Sequence, residues 1–339
     1  MSIKLSARWL RSHAMELIAV LCLGGLVIAV NPASLGGVFR RTDVGLLLLM
    51  LPVTLGAYLA RGLAWWFTLR QVGVRVDIPH AVAVEFAGQS MVFMPTGDLA
   101  RIKLIKEVTG TRRGAGALTA TIALQELLLM TLMGLGVLPR IASHPDVALL
   151  VLVMVTVHLL ILVVIAWRPA YDWAIRTVER VRLLRRFDSQ LRSIRPAFIE
   201  LFRVRVIVPV VLCNAVAAVL SYLLFYLALH AVGQTQVSFT AAAFVLALSF
   251  VIAGISLIPG GVGPFEGLLT VLMIANGVPV SAGAAAGLLF RGFNDILMAG
   301  VGGVFLVLIR RGHLREETHT GRSQRRRRPH RQKASRSRG

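Results

Sequence analysis

The chain has 339 residues, of which 56% are hydrophobic and 16% are charged, and its mean hydropathy is +0.73. Soluble domains carry about 25% charged residues, so this composition excludes an ordinary soluble protein and indicates an integral membrane protein. The formal net charge of +21 is concentrated in loops and the C-terminal tail. That distribution is typical of the positive-inside rule rather than of a nucleic-acid surface, so we expect membrane lipids, and no specific nucleic acid, as partners.

The first third of the chain contains two spans and one interrupted segment. Leu17–Val30 follows basic residues as in a signal peptide, but further spans follow it, so we interpret it as a retained first span. Val44–Leu69 is the second span. Ala81–Met94 has basic residues on both sides and is shorter than the roughly 20 residues that a crossing needs, which predicts a re-entrant hairpin. The residues that break it are Pro95 and Gly97.

Two further spans and a long basic segment form the middle of the chain. Ala115–Leu138 leads outward and Val147–Trp167 returns. Residues 168–205 contain ten arginines against four acidic residues, so this segment is predicted to be cytoplasmic. Its apolar residues recur at mostly helical spacing, which favours an interfacial pair of amphipathic helices over the alternative of a solvated linker helix.

The last third repeats the pattern of span, interrupted hairpin and span. Val206–Val232 leads outward, Phe239–Ala275 is broken in its middle, and Val280–Ile309 returns to the cytoplasmic side. The residues that break the helix are Pro259, Gly260, Gly261, Gly263 and Pro264. The fold class predicted is therefore an all-α polytopic membrane protein with about six full spans and two re-entrant hairpins. The hairpins would open from opposite faces, as in an inverted repeat.

We expect one membrane domain, residues 1–311, followed by a disordered Arg-rich tail, residues 312–339. Both termini are predicted to lie in the cytoplasm of a bacterium, with the domain in the inner membrane. The tail and the 168–205 segment would contact anionic headgroups. A homodimer or a partner enzyme of lipid synthesis is also compatible with the sequence.

Charged and polar residues within or beside the apolar runs are the candidates for function. They are Asp98, Arg101, Glu126, Glu266, Arg291, Asn294 and Asp295. One interpretation is that they line a cavity for a lipid headgroup, with arginines attracting phosphate and with Glu266 facing both Arg101 and Arg291. The other is that Asp98–Arg101 and Arg291–Asp295 neutralise one another and only hold helices together. No nucleophile elbow, phosphate-binding loop or metal motif is recognisable, so we expect neither a metal nor a cofactor.

Three stretches resemble one family. Residues 93–101 resemble the Pro–Gly–acid–x–x–Arg motif of the lysylphosphatidylglycerol synthase transmembrane-region family, and residues 258–267 resemble its Pro-Gly-Gly-x-Gly-x-x-Glu-Gly motif. Phe290-Arg291 is similar to the aromatic–Arg pair of its last span. The resemblance covers about residues 10–310. The acidic-basic pattern after the first motif is only partly kept, since Gln125-Glu126 lacks the following Arg and Asp.

The resemblance implies a lipid flippase, like the membrane region of the multiple peptide resistance factor. The soluble aminoacyl-transfer domain is expected to be absent, so the prediction is a non-enzymatic transporter. Its substrate would be an aminoacyl-phosphatidylglycerol-like lipid, a hopanoid or a polyprenyl glycolipid. Two alternatives are a membrane-embedded transferase acting on a lipid-linked sugar and a non-catalytic partner of lipid-synthesis enzymes.

Overall fold

The computed structural model describes residues 32–91, 97–143, 145–179, 188–255 and 263–311. Within these ranges every regular element is helical, which confirms the predicted all-α polytopic class. The predicted first span, the 312–339 tail and the break residues Pro95, Pro259, Gly260 and Gly261 lie outside the described residues. Helices are numbered below in chain order within the described ranges.

The described first half consists of a short helix, a long helix, two short helices and a second long helix. These are α1 Pro32–Arg40, α2 Val44–Gln71, α3 Ile78–Gln89, α4 Gly97–Thr109 and α5 Ala115–Gly134, which a 3-10 turn over Leu135–Ser143 extends. Aspartates begin two of them. The Asp43 carboxylate accepts from the Gly45 N–H at 2.7 Å, and Asp77 accepts from the His80 N–H at 3.0 Å.

The middle contains α6 Pro145–Ala166, α7 Arg168–Glu179 and α8 Asp188–Leu201. Residues 156–165 of α6 and residues 168–177 of α7 meet at a bend of 96°. Helix α7 leaves Trp173 66% exposed. Helix α8 instead packs on α5, with Phe198 and Leu201 buried. The 168–205 segment therefore does contain a helix pair, but its second member contributes to the protein core.

The second half consists of α9 Val204–Ala231, α10 Phe239–Ile255, α11 Pro264–Ala275, α12 Val280–Arg291 and α13 Met298–Arg310. A π-helical segment, Gly292–Leu297, joins α12 to α13. Among the described residues, four elements are long and apolar enough to cross a membrane, and a fifth is added if the bent pair α6–α7 counts as one span. The four are Val44–Gln71, Ala115–Ile141, Val204–Ala231 and Val280–Arg310. Five of the six predicted spans fall in the described residues, so the total of six stays a prediction.

Helices α3, α4, α10 and α11 are too short to cross a bilayer and pack as two hairpins. They have 12, 13, 17 and 12 residues, against the roughly 20 required. In the first hairpin, a Cβ at Gly88 of α3 would overlap the Arg101 side chain of α4. In the second, the rings of Phe250 and Phe265 lie 5.0 Å apart between centroids. The predicted interruptions thus separate short, mutually packed helices.

The two hairpins enter the bundle from opposite ends. The Asp43 N–H at the start of α2 donates to the Ala231 carbonyl at the end of α9, at 3.0 Å, so these two long helices run antiparallel. The α3–α4 hairpin follows the C-terminal end of α2, and the α10–α11 hairpin follows the C-terminal end of α9. Each half therefore consists of a long helix, a short hairpin and a second long element. The elements of one half run in the opposite direction along the bundle to those of the other half. This arrangement agrees with the predicted inverted repeat.

Helix α13 crosses α3 at backbone contact distance through Gly302. A Cβ there would collide with the Phe86 carbonyl oxygen and lie 2.9 Å from the Ser90 nitrogen. Small residues allow membrane helices this close approach.

We expect Gly302→Ala to lower the free energy of unfolding by about 1–3 kcal/mol, since backbone must move. Thermal unfolding in detergent measures this. The adjacent Gly303→Ala, with open space around it, should leave the midpoint unchanged or raise it.

Candidate functional site

Four charged side chains from four helices form one buried network, here named the Arg101 cluster. It contains Arg61 of α2, Glu85 of α3, Arg101 of α4 and Glu126 of α5. Arg101 donates one terminal nitrogen to Glu85 and the other to Glu126 at 3.2 Å. Arg61 donates to Glu126 at 3.0 Å, and its Nε lies 3.3 Å from Glu85 Oε1. Two guanidiniums thus alternate with two carboxylates, and the cluster is formally neutral.

The Arg101 cluster lies inside the protein rather than on its surface. The side chains of Glu85 and Arg101 are 0% exposed, whereas Glu126 is 28% exposed. Arg101 lies over the Trp65 ring at 5.3 Å, which adds a cation–π contact. A buried charge is tolerated when it is paired and hydrogen-bonded. Glu126 is the most exposed of the four side chains and Arg61, at 17%, is the next, so these two give the network access to the space around it.

A second network, here named the Arg291 cluster, joins α11 to the π-helical segment. Arg291 donates Nε to Glu266 at 2.7 Å and Nη1 to Asp295 at 2.6 Å. Asn294 donates its amide to the other Asp295 oxygen at 2.7 Å. The second Glu266 oxygen accepts from the Gly263 N–H at 2.7 Å, so this carboxylate also caps α11. One guanidinium faces two carboxylates, which gives a formal charge of −1 when both are ionised.

The π-helical segment Gly292–Leu297 was not predicted from the sequence. The spacing of Arg291, Asn294 and Asp295 predicted one shared α-helical face, and their contacts confirm that they come together. A π-turn in a transmembrane helix often marks a functional site, because it re-aims side chains at a local cost in hydrogen bonding. Here it carries Asn294 and Asp295 of the Arg291 cluster, whereas Glu266 lies on α11.

The two clusters correspond to each other across the repeat. Arg101 and Glu126 pair at a separation of 25 residues, and so do Glu266 and Arg291. In each case the first residue lies on the helix after the hairpin break and the second on the following long element. The signs of the charges are exchanged. This common spacing supports the repeat more specifically than the short motifs do.

Tyr58 of α2 links the two clusters. Its hydroxyl donates to the Asn294 carbonyl at 2.9 Å, and Arg61 lies over its ring at 5.1 Å. A cavity of about 90 Å³ is lined by residues of both sides, including Tyr58, Arg61, Glu126 and Asn294. Ligand pockets usually hold about 300–1,000 Å³, so this connecting cavity is closed to a lipid headgroup in the present conformation.

Removing the Tyr58 hydroxyl should weaken the link without emptying the core. We expect Tyr58→Phe to cost about 1 kcal/mol of stability, because the ring and its contact with Arg61 remain. If transport requires both clusters to move together, the rate of lipid translocation should fall by more than the small loss of folded protein would explain. Thermal unfolding and a lipid-translocation assay on the same preparation compare the two effects. Equal translocation by Tyr58→Phe and wild type would show that this link has no role in transport.

A second cavity meets the first at Glu126. It holds about 280 Å³ between α5, α6 and α8 and is almost entirely apolar, with Leu127, Ile161 and Ile165 in its wall. His158 adds a polar group. Glu126 and Met130 line both this apolar cavity and the connecting cavity. A carboxylate therefore lies at the junction between an apolar space and a buried polar network.

The structure divides the predicted site residues into two groups rather than one. Arg101 and Glu126 lie in one cluster; Glu266, Arg291, Asn294 and Asp295 lie in the other. Asp98 is in α4, but its side chain lies outside the described residues. The expectation that Glu266 faces both Arg101 and Arg291 is wrong for Arg101, which pairs with Glu85 and Glu126.

Sequence reasoning missed Arg61 and Glu85 as site residues. Each is a charged residue within an apolar run, and that signal alone could have found them. Within the described residues, no group of three or more His, Cys, Asp or Glu side chains is arranged to hold a metal ion. The contacts seen in both clusters are ion pairs and hydrogen bonds.

Comparison with models of known protein families shows the family of this chain. The family model described as "Lysylphosphatidylglycerol synthase TM region" matches residues 16–302. The chain belongs to this family. The match confirms the resemblance predicted from the motifs, and its range contains every described member of both clusters. Among curated proteins, no sequence match was found. As a member of the lysylphosphatidylglycerol synthase transmembrane-region family, the protein is a multi-pass membrane protein related to lipid metabolism or transport.

Proposed function

We propose that the protein moves an amphiphilic lipid between the leaflets of the membrane, without covalent chemistry. The observation that carries the proposal is the position of Glu126 at the junction of an apolar cavity and a buried polar network. An amphiphile in transit needs apolar space for its chains and charged partners for its headgroup. Intramembrane charged residues commonly mark such pathways.

The Arg101 cluster offers partners for a headgroup at low cost. Arg61 and Arg101 already share the Glu126 carboxylate. A lipid phosphate could replace this carboxylate as their acceptor, while a headgroup amine takes Glu126. The exchange substitutes one ion pair for another, so no buried charge is left alone. Forked guanidinium donors also match phosphate geometry.

The Arg291 cluster favours the opposite sign. Its two carboxylates outnumber its single guanidinium, so a headgroup that carries an amine would be attracted there. A headgroup with both phosphate and amine therefore suits the two clusters best. Aminoacyl-phosphatidylglycerol-like lipids have this combination, whereas hopanoids and polyprenyl glycolipids would use fewer of these contacts.

The opposed hairpins suggest how the pathway opens. The connecting cavity of about 90 Å³ is closed, and Phe250 of the α10–α11 hairpin lines it. The α3–α4 hairpin enters from the opposite end of the bundle and contacts the cavity residue Glu126 through Arg101. Movement of one hairpin against the long helices would open the cavity on one side at a time. The ion pairs between each hairpin and the following long element, Arg101–Glu126 and Glu266–Arg291, would break and re-form in this motion.

The charge distribution supports an orientation. Basic residues gather at the end of the bundle where α2 finishes and α13 ends; they include Arg70, Arg75, Arg112, Arg113, Arg310 and Arg311. By the positive-inside rule this end faces the cytoplasm of the inner membrane. The α3–α4 hairpin then opens inward and the α10–α11 hairpin outward. Both chain termini would be cytoplasmic.

Reconstitution tests the proposal. Purified protein is placed in vesicles with a headgroup-labelled lipid, and a membrane-impermeant quencher reports the fraction exposed outside. Wild type should move label faster than protein-free vesicles do. Glu126→Gln should slow movement roughly tenfold or more, which corresponds to one lost charged hydrogen bond of about 1.5–3 kcal/mol. The control is Glu107→Gln, since Glu107 makes only an exposed pair with Lys103 at 3.8 Å.

Two results would contradict lipid translocation. One is a folded wild-type protein that moves no zwitterionic, aminoacylated or glycosylated lipid faster than empty vesicles. The other is a covalently altered lipid in the mass spectrum after incubation with purified protein and a sugar donor. The second result would favour the membrane-embedded transferase.

A further inference from the structure

A large basic cavity lies away from both clusters. It holds about 930 Å³ where α2 ends and the α3–α4 hairpin begins, and it shares no lining residue with the two cavities at Glu126. Its charged lining residues are Arg70, Arg75, Asp77 and Arg113. Three guanidiniums against one carboxylate give a formal charge of +2. All four side chains are on residues exposed to the surroundings.

The single carboxylate of this cavity is already engaged elsewhere. Asp77 caps α3 by accepting from the His80 N–H, and it also contacts the His80 ring. Within the described residues, no ion pair joins Arg70, Arg75 or Arg113 to a carboxylate. Three guanidiniums therefore converge on one space without forming an ion pair with a carboxylate in the described part of the chain.

Local structure holds these arginines in place. Trp66 donates its indole N–H to the Val76 carbonyl at 2.9 Å, and Arg70 lies over the Trp66 ring at 5.0 Å. Gly73 has a φ of +79°, and a Cβ there would lie 3.1 Å from the Arg113 guanidinium carbon. Glycine thus provides both the left-handed turn and the room for Arg113 to cross it. The basic cavity is shaped by the backbone and an aromatic ring.

The surroundings place the basic cavity at the membrane surface. Trp66 and Phe67 lie in the last turns of a spanning helix, where aromatic residues normally meet the headgroup layer. Ile78, 43% exposed, adds an apolar side to the same cavity. An apolar rim adds no favourable contact for a free anion. A lipid can contact it, because the phosphate of a lipid lies beside its glycerol and acyl chains.

We propose that this basic cavity binds the phosphate-bearing headgroup of an anionic phospholipid from the adjoining leaflet. The site is separate from the translocation pathway and does not depend on it. A lipid bound here would fix the position of the loop between α2 and the α3–α4 hairpin. Arg75 and Arg113 supply forked donors, and Arg70, stacked on Trp66, adds a third guanidinium to the cavity lining.

Native mass spectrometry of the full chain in detergent tests this site, with phosphatidic acid as the probe. Wild type should retain phosphatidic acid in preference to phosphatidylcholine. The double variant Arg75→Gln/Arg113→Gln should weaken that retention by roughly tenfold or more, for two lost charged contacts. The control Arg112→Gln/Arg311→Gln removes the same charge from exposed residues outside the cavity lining and should retain wild-type binding.

Two outcomes would overturn the proposal. If the control variant loses as much phosphatidic acid as the cavity variant, binding follows general charge attraction and not this cavity. If inorganic phosphate displaces the lipid at comparable concentration, the ligand is free phosphate. Because the assay involves no bilayer leaflets, either result leaves lipid translocation untouched. Failure of the translocation assay would likewise not contradict lipid binding in the basic cavity.

Discussion

Glu85→Gln is expected to lower the free energy of unfolding by about 3–5 kcal/mol, the usual cost of breaking a buried ion pair from one side. Glu85 and Arg101 both have fully buried side chains, and Glu85 contacts both arginines of the Arg101 cluster. The substitution would remove one carboxylate from both guanidiniums and leave Glu126 as the carboxylate that they share. Reversible unfolding by denaturant in detergent micelles measures the change.

Two further variants separate the buried pair from general effects of charge. Glu107→Gln removes a carboxylate that is 41% exposed, and should cost at most about 1 kcal/mol. Glu85→Gln combined with Arg101→Met removes both buried partners and should recover most of the lost stability, since an apolar replacement of a buried pair is often neutral. A single Glu85→Gln as stable as Glu107→Gln would mean that Arg101 is not held in this way.

Arg291→Lys is expected to leave the fold intact and to reduce lipid translocation roughly tenfold or more. Arg291 uses two different nitrogens to bridge Glu266 and Asp295, at 2.7 Å and 2.6 Å. A lysine keeps the charge but has a single ammonium, so it loses the bridging geometry. One lost charged hydrogen bond is worth about 1.5–3 kcal/mol, which gives this factor.

Arg291→Ala should be more severe, because it leaves two nearly buried carboxylates facing each other. Their side chains are 4% and 10% exposed. We expect this variant to lose both thermal stability and translocation. Arg310→Lys, at the exposed end of α13, is the matched control and should behave as wild type in both assays. Normal translocation by Arg291→Lys would show that the bridging contacts are not required for translocation.

The sequence predicted the long helices well, because continuous apolar runs in a membrane leave few alternatives to a helix. Ala115–Leu138 and Val280–Ile309 agree with the structure to within a few residues. The grouping of Arg291 with Asn294 and Asp295 was also predictable, since spacing along one helix determines a shared face. Local spacing therefore located one half of the Arg291 cluster.

Contacts between distant helices could not be predicted in this way. The structure pairs Arg101 with Glu85 and Glu126 on two other helices, and local spacing did not suggest either partner. The pairing of Arg101 with Asp98 stays a prediction, because the Asp98 side chain lies outside the described residues. Tyr58 gave no signal as an aromatic residue in an apolar run, and its link to Asn294 spans 236 residues. Such features depend on tertiary structure, which a single sequence does not specify by periodicity.

A substitution that fills the connecting cavity tests most directly whether a headgroup passes between the two clusters. Ser221 of α9 lines this cavity, whereas Val219 on the same helix is 53% exposed on the outside. Ser221→Phe would place a phenyl ring in the cavity while leaving every charged residue unchanged. We predict that folded Ser221→Phe loses lipid translocation in vesicles and that Val219→Phe translocates as wild type does. Normal translocation by a correctly folded Ser221→Phe would contradict passage between the clusters.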